Sequence, residues 1–206
     1  HRGGGHFSGR LTVLLVAAGV VAKKILPADV QLRAWLAEAG GSADIESAIA
    51  TAIATQDSIG GIVECSAEGL PIGLGEPFFD SVESLLAHIL FAIPAVKGVE
   101  FGAGFAATKM RGSEHNDALL DASGRTATNH AGGIVGGLTN GNALRLRVAI
   151  KPTSSTPQLQ MSYDLERQTV APLQVAGRHD LCIALRAPVV VEAAVACVLA
   201  DLLLLK

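Results

Sequence analysis

Three short segments of this chain hold side chains suited to handling an anion. Lys151–Ser155, K-P-T-S-S, sets one ammonium and three hydroxyls within five residues. With nearby backbone N–H groups, Lys151, Thr153, Ser154 and Ser155 could together hold a phosphate. Ahead of it, five glycines fall between Gly132 and Gly141 in the run N-H-A-G-G-I-V-G-G-L-T-N-G that starts at Asn129. Glycine loses more backbone freedom on folding than any other residue, so such a cluster marks positive-φ positions or a close approach of backbone to a ligand. The plainer reading is a glycine-rich turn before an edge strand, with the lysine and serines in solvent.

The second segment is Gly177–Asp180, G-R-H-D. Arg178 can grip a phosphate or carboxylate as a fork, and Asp180 can take or direct a proton once burial or a neighbour tunes it. An arginine–aspartate salt bridge at a helix start is the structural alternative. The third segment is G-G-G-H-F-S-G-R, residues 3–10. Gly4 and Gly9 have the spacing of a nucleotide phosphate loop, but Arg10 and Leu11 stand where its lysine and magnesium-binding hydroxyl belong, which excludes an ordinary nucleoside triphosphate site. A glycine loop carrying His6, Ser8 and Arg10 at a helix N-terminus remains suited to an anion or cofactor.

Positioning these segments falls to elements readable from periodicity. Arg10–Leu26 is dense enough in aliphatic residues to predict a mostly buried helix ending before Pro27. Ala28–Thr55 is Ala-rich scaffold broken at Gly40-Gly41-Ser42, with a helix from Ala43. Asp57–Gly61 is a turn, Ile62–Cys65 a short strand, and Phe79–Ile93 a helix stopping before Pro94. His88, inside that helix, reads as a packed or surface residue. Pro94–Phe105 is strand-like. Gly102–Ala107 matches G-x-G-x-x-A, with Asp121 near the distance of a ribose-binding acid, but the polar loop Thr108–Glu114 follows where a dinucleotide fold needs a helix. Glu114-His115-Asn116-Asp117 matches no zinc spacing and reads as a mobile loop. Arg145 and Arg147 alternate with Leu144, Leu146 and Val148, predicting a half-buried strand whose arginine face is solvated or meets an anion. Strand character returns around Gln160–Asp164. Val189–Leu205 is apolar, but Glu192 and Asp201 would each cost about 2.5–3.5 kcal/mol in lipid, so a core or interface helix is expected in place of a membrane span.

Composition narrows the classes. Half of the 206 residues are apolar and 17% are charged, which predicts a folded chain with a substantial core. A net charge of −3 and 4% aromatics argue against a nucleic-acid platform. Cys65, Cys182 and Cys197 lack metal or disulfide spacing and read as reduced thiols of a cytoplasmic protein. No metal site is expected. No signal peptide precedes His1, and the chain opens in what reads as mid-loop without a methionine, so an upstream portion is expected to be absent.

Taken in order, G-G-G-H-F-S-G-R-L-T, D-S-I-G-G-I-V-E-C, G-L-G-E-P-F-F-D-S, I-P-A-V-K-G-V-E-F-G-A-G-F, G-S-E-H-N-D, T-N-H-A-G-G-I-V-G-G-L-T-N-G, V-A-I-K-P-T-S-S and G-R-H-D resemble the chorismate synthase family through nearly the whole chain. The resemblance implies an α+β fold in which helices lie between antiparallel sheets, a β-α-β sandwich, built as one domain over residues 1–206 but lacking the family's N-terminal third. It implies a cytoplasmic homotetramer that binds neither nucleic acid nor membrane. The activity implied is that of a lyase of the shikimate pathway: 5-enolpyruvylshikimate 3-phosphate loses phosphate and a C6 proton in a 1,4-anti elimination to give chorismate. Reduced FMN is the implied cofactor, although no net redox change occurs, and NADPH is the reductant in members that reduce their own flavin. The implied catalytic residues are Asp180 and Ser8. Implied flavin contacts are His6, Phe7, Ser8, Pro94, Ala95, Gly136, Lys151, Pro152, Thr153, Ser154, Ser155 and Arg178, and the implied substrate contacts are Arg10 and Arg178.

Two departures qualify this. His6-Phe7-Ser8 stands where many members have Arg-Ser-Ser, and two active-site histidines and several arginines of the family's N-terminal third have no counterpart. These 206 residues alone are therefore expected to bind FMN weakly and to be inactive, and the alternative reading is a non-catalytic FMN- or phosphate-binding remnant. The region Ala28–Thr55 also reads as abbreviated.

Overall fold

A computed structural model of the protein describes residues 5–177 and 179–206. Its centre is a four-stranded antiparallel sheet in the order β1-β2-β6-β3, made from β1 (Gln31–Ala39), β2 (Gly61–Glu68), β3 (Val96–Phe101) and β6 (Leu144–Ile150). Two small hairpins accompany it, β4 (Ile134–Val135) with β5 (Leu138–Thr139), and β7 (Gln160–Asp164) with β8 (Thr169–Leu173). The α+β class with antiparallel sheets is the one expected.

Strand alternation sends Val63, Cys65 and Ala67 of β2 and Leu144, Leu146, Val148 and Ile150 of β6 to one buried face. There they join Leu86 and Leu90 of α3 (Val82–Phe91) and Val191, Val195 and Leu199 of α5 (Ala187–Leu205) in one core. Pro188 in the first turn starts α5 where a missing N–H costs nothing. Ten of its nineteen residues are buried. The helix is long and apolar enough to cross a membrane, yet most of that apolar run is covered within the fold, as expected of a core helix.

α1 (Thr12–Ile25) corrects an expectation. It forms where predicted, but only Gly19 and Ala22 are buried, while Val13, Leu14, Val20 and Val21 are exposed. It touches α5 through a narrow small-residue seam: a Cβ on Gly19 would lie 2.4 Å from Ala193 Cβ, and Ala22 packs with Ala196 and Ala200. Aliphatic density therefore reported a helix with two apolar faces, one of which has no cover in these residues. Glu192 braces the contact, pairing with Lys23 of α1 and accepting the Ala34 N–H of edge strand β1 at 2.9 Å.

β1 was not predicted within Ala28–Thr55. Leu32, Ala34 and Leu36 alternate with exposed Arg33 and Trp35, but alanines and a glutamate blur the period. α2 (Ile45–Thr55) follows as expected, with Asp44 accepting the Ser47 N–H at its start. Bulges at Ala37 and Lys97 interrupt the two edge strands. The first turns Glu38 to the open face of the sheet, opposite Ile62. After β3 comes a 3-10 turn, Gly104–Lys109, with no βαβ unit, so the dinucleotide fingerprint is a chance match. His88 is exposed.

Candidate functional site

The glycine-rich stretch is held by one carboxylate. Asp117 follows the short helix α4 (Gly112–His115), and its side chain is 7% exposed. It accepts the Thr128 hydroxyl at 2.7 Å and the His130 and Ala131 N–H groups at 2.8 and 2.9 Å. Burial alone would push this carboxyl up, but the Ala131 N–H, the Thr128 hydroxyl, the His130 N–H and the nearby His130 ring outweigh it and hold the group below the usual range. Asn129 completes the clamp, accepting the Gly133 N–H at 2.8 Å and donating to Ala143 C=O at 2.7 Å. Glu114–Asp117 is thus a tied structure, correcting the expected mobile loop: a short polar run reads as mobile until its buried acceptor finds donors from a segment a dozen residues on.

The close approach predicted for the glycines is made by backbone to backbone. Gly102 and Gly132 cross with a built Cβ only 2.4 Å from the other's nitrogen, and both have positive φ. Gly136 lies at the exposed tip of the β4–β5 hairpin, whose Gly137 packs on Ser81 at the start of α3.

Lys151–Ser155 leaves the end of β6 and is joined to its neighbours by main chain. The Lys151 N–H donates to Ala95 C=O at 2.9 Å, bringing Ala95 and the preceding Pro94 beside it. Ala95 has φ +77°, a left-handed conformation costly for a residue with a Cβ. Lys151 Nζ donates to Ser154 Oγ at 2.6 Å. The Ser58 hydroxyl donates to Thr153 C=O at 2.7 Å, and the next residue's N–H, Ile59, donates to Leu181 C=O at 2.8 Å. Ser58 and Ile59 therefore stitch the K-P-T-S-S segment to the one that follows Asp180.

Gly60 and Gly61 make this possible. A Cβ on Gly60 would sit 2.5 Å from Ile150 C=O and 3.2 Å from Pro152, and one on Gly61 would meet Glu38 C=O at 2.6 Å and Ala184 Cβ at 2.8 Å. Beside the stitch lies a cleft of about 560 Å³ lined by Arg10, Ile49, His179, Asp180, Leu181, Cys182, Leu185 and Arg186. Asp180 pairs with Arg186 at 2.8 Å, at the start of α5. This pair is an arginine–aspartate salt bridge at a helix start, but it is made with Arg186, and Arg178 lies outside the described residues.

Hydrogen bonds to main-chain carbonyls thus link Pro94-Ala95 and Lys151–Ser155 through Ser58 and Ile59 to Leu181, while Arg10 and Asp180 line the adjoining cleft, which none of the K-P-T-S-S residues lines. His6 and Phe7 form an exposed turn upstream of Arg10, with Phe7 90% exposed, and the Ser8 oxygen caps the Arg10 N–H at 3.2 Å. Gly136 is not brought to this region. It sits beside the first residues of α3, whereas Pro94 and Ala95 follow its end, about 15 Å along the helix axis. Arg178 lies outside the described residues. Sequence reasoning missed Ser58, Ile49 and Arg186 as neighbours of these segments; of these only Ser58 carried a signal, its place two residues before the paired glycines.

Two buried polar atoms here have no partner among the described residues: Thr153 Oγ1 and His179 Nδ1. A buried hydroxyl without a partner, in a segment with an ammonium and two further hydroxyls, has an unused hydrogen bond of the kind that a phosphate oxygen could take. Among the described residues no three His, Cys, Asp or Glu side chains cluster as metal ligands.

Comparison with known proteins decides what this arrangement belongs to. The sequence profile of chorismate synthase matches residues 1–204. The chain belongs to the chorismate synthase family. It is 65% identical over 206 residues to the chorismate synthase of Chitinophaga pinensis, covering all of this chain and 62% of that protein. With that of Korarchaeum cryptofilum it shares 44% over 230 residues, covering 97% of this chain and 64% of the relative. A crystal structure of a chorismate synthase superposes with a TM-score of 0.79 at 26% identity, over 97% of this chain and 64% of that one. The chain therefore spans less than two thirds of the length of these relatives. The Korarchaeum alignment is longer than the chain it covers, so that relative carries residues without counterpart here, whereas the Chitinophaga alignment is as long as the chain.

Proposed function

We propose that this chain is part of a chorismate synthase, a lyase that converts 5-enolpyruvylshikimate 3-phosphate to chorismate and phosphate with reduced FMN. The observation that carries the reading is the stitched region: the K-P-T-S-S segment, with its unpaired Thr153 hydroxyl, bonded through Ser58 and Ile59 to the cleft that holds Arg10 and Asp180. Lys151, Thr153, Ser154 and Ser155 would hold the FMN phosphate, and Pro94, Ala95 and Pro152 would line the same site. His6, Phe7, Ser8 and Arg178 are the remaining flavin contacts of the proposal, from which Gly136 drops out by its place at the other end of α3. Bound reduced FMN supplies transient electron density that eases departure of the phosphate.

The chain's own residues supply position and charge. Arg10, with Arg178, would meet the substrate's phosphate and carboxylates, neutralising charge as the phosphate leaves. Asp180 would handle a proton beside the flavin, oriented by its ion pair with Arg186. Ser8 would support the same transfer. The exposed aliphatic face of α1 is, in this reading, the face on which a second antiparallel sheet of the full-length sandwich packs. One domain, a cytoplasmic homotetramer, and inactivity of these 206 residues alone belong to the same proposal, as does NADPH where flavin reduction is intrinsic.

The test is FMN titration of the full-length protein with and without the substrate, followed by an anaerobic assay for chorismate with reduced FMN. Mutual tightening of flavin and substrate, with turnover, is expected. FMN binding without turnover would identify the non-catalytic remnant, and no flavin binding by folded full-length protein would overturn both readings.

A further inference from the structure

The open face of the four-stranded sheet carries a pocket that the proposed chemistry does not use. Pairing across β1, β2 and β6 sets Arg33, Ser66 and Arg145 in one row, because Arg33 lies opposite Ser66 and Ser66 opposite Arg145. The next row reads Trp35, Glu64, Arg147 and Glu100. A pocket of about 470 Å³ opens over these rows, lined by Arg33, Trp35, Ser66, Arg145 and Arg147 and, on the acidic side, by Glu64 and Glu68. It shares no lining residue with the Arg10–Asp180 cleft.

Charge is allocated unevenly here. Arg147 takes three carboxylates: Glu38 at 2.7 Å, Glu100 at 3.0 Å and Glu64 at 3.3 Å. Glu38 reaches it only because the bulge at Ala37 turns that residue to this face. Arg33 and Arg145, one row away, have no ion pair or side-chain hydrogen bond among the described residues. Between them the Ser66 hydroxyl is shut off from solvent and has no partner among the described residues. Two arginines two strand spacings apart, about 10 Å at the backbone, can converge above the serine that separates them. Trp35, 44% exposed and diagonal to Ser66, offers a flat apolar surface within reach of whatever the arginines hold.

We propose that Arg33, Ser66 and Arg145 form a binding site for a small organic oxyanion, a carboxylate or phosphate monoester whose planar group lies on Trp35. The two guanidinium forks hold the oxyanion, the Ser66 hydroxyl gains the partner it lacks, and the Arg147 cage, with its excess of carboxylates, closes the neighbouring row to anions. The site stands independently of the lyase reading.

The test is titration of the full-length protein with phenyl phosphate, benzoate and inorganic phosphate, read by Trp35 fluorescence with Trp35→Phe as the blank. A saturable change with an aryl anion is expected, displaced by inorganic phosphate and weakened at least about tenfold by Arg33→Gln or Arg145→Gln. Arg33→Lys should lose only part of that affinity, since it keeps the charge without the fork. Tighter binding of phenyl phosphate than of benzoate assigns a phosphate ligand, and the reverse assigns a carboxylate. The proposal is overturned by no saturable change in folded protein, or by one that the arginine variants leave intact. It is equally overturned if Arg145→Gln turns an assembly into smaller species by sedimentation while aryl anions never bind, because the face is then closed between two copies.

Discussion

Replacing Asp117 by asparagine tests whether one carboxylate holds the glycine-rich stretch. The amide would keep an acceptor where Asp117 Oδ1 receives Thr128 and His130, but would present an NH₂ where Oδ2 receives the Ala131 N–H. One charge-assisted bond becomes a donor facing a donor, and two others weaken with loss of the charge. At about 1.5–3 kcal/mol for a hydrogen bond to a charged group and roughly half for a neutral one, one bond lost and two halved give an expected loss of about 3–6 kcal/mol. Urea unfolding followed by circular dichroism at pH 7 measures it. The pH dependence gives a second check. Asp117 titrates lower in the folded protein than in the unfolded chain, where the group lies near about 3.9. The unfolded chain thus binds more protons between the two values, and stability falls as pH drops through that window. The gap between wild type and Asp117→Asn should be constant above about pH 5 and narrow below about pH 4. A variant within about 0.5 kcal/mol of wild type at pH 7, or a gap that widens in acid, would refute the reasoning.

Four further outcomes are expected. Gly19→Val should destabilise by about 3 kcal/mol or more, because even its Cβ overlaps Ala193 across a seam with no room to part, and a thermal melt reads the loss. Glu192→Ala should cost about 2 kcal/mol in denaturant unfolding, as it strands Lys23 and the Ala34 N–H together. Cys65 should resist thiol reagents at pH 8 in the folded protein and react at once in denaturant, since burial, assisted by the nearby Glu192 carboxylate, pushes its thiol up to about 12. Gly60→Ala should weaken FMN binding by more than about tenfold in fluorescence titration, because its Cβ would displace Ile150 C=O and Pro152 just where the K-P-T-S-S segment begins.

The elements with a clean period were legible before the structure. α3 and α5 have long apolar spacing and a proline at or near an end, and β6 alternates leucine or valine with arginine. β1 was hidden because Ala34, Ala37, Ala39 and Glu38 favour helix locally, and only pairing with β2 makes its alternation decisive. Residue type alone singled out K-P-T-S-S and Asp180 as candidates. Their partners were not legible, because Ser58 and Arg186 reach them through the fold: Ser58 lies 95 residues from Thr153, and Arg186 approaches Asp180 around a turn. Likewise, hydropathy could not say that the outer face of α1 stands uncovered, since it records only that a face is apolar.

Main chain, more than side chains, sets the place of the proposed cofactor segment. Lys151 is fixed by its own N–H on Ala95, Thr153 by its carbonyl on Ser58, and Leu181 by its carbonyl on Ile59. Gly60 and Gly61 let the start of β2 pass between Ile150, Glu38 and Ala184 at distances no side chain permits. Of the side chains in this framework, the Thr153 hydroxyl has no partner among the described residues and the Lys151 ammonium bonds only within its own segment, to Ser154. Ala95 shows the cost: its φ of +77° would be relieved by glycine, worth about 1–2 kcal/mol against about 0.5–1 kcal/mol of added chain entropy. Ala95→Gly should therefore leave stability unchanged or slightly raised, and weaken FMN binding if the strained carbonyl is what aims Lys151. A variant that loses stability while binding FMN as wild type does would show that the strain serves the fold and not the site.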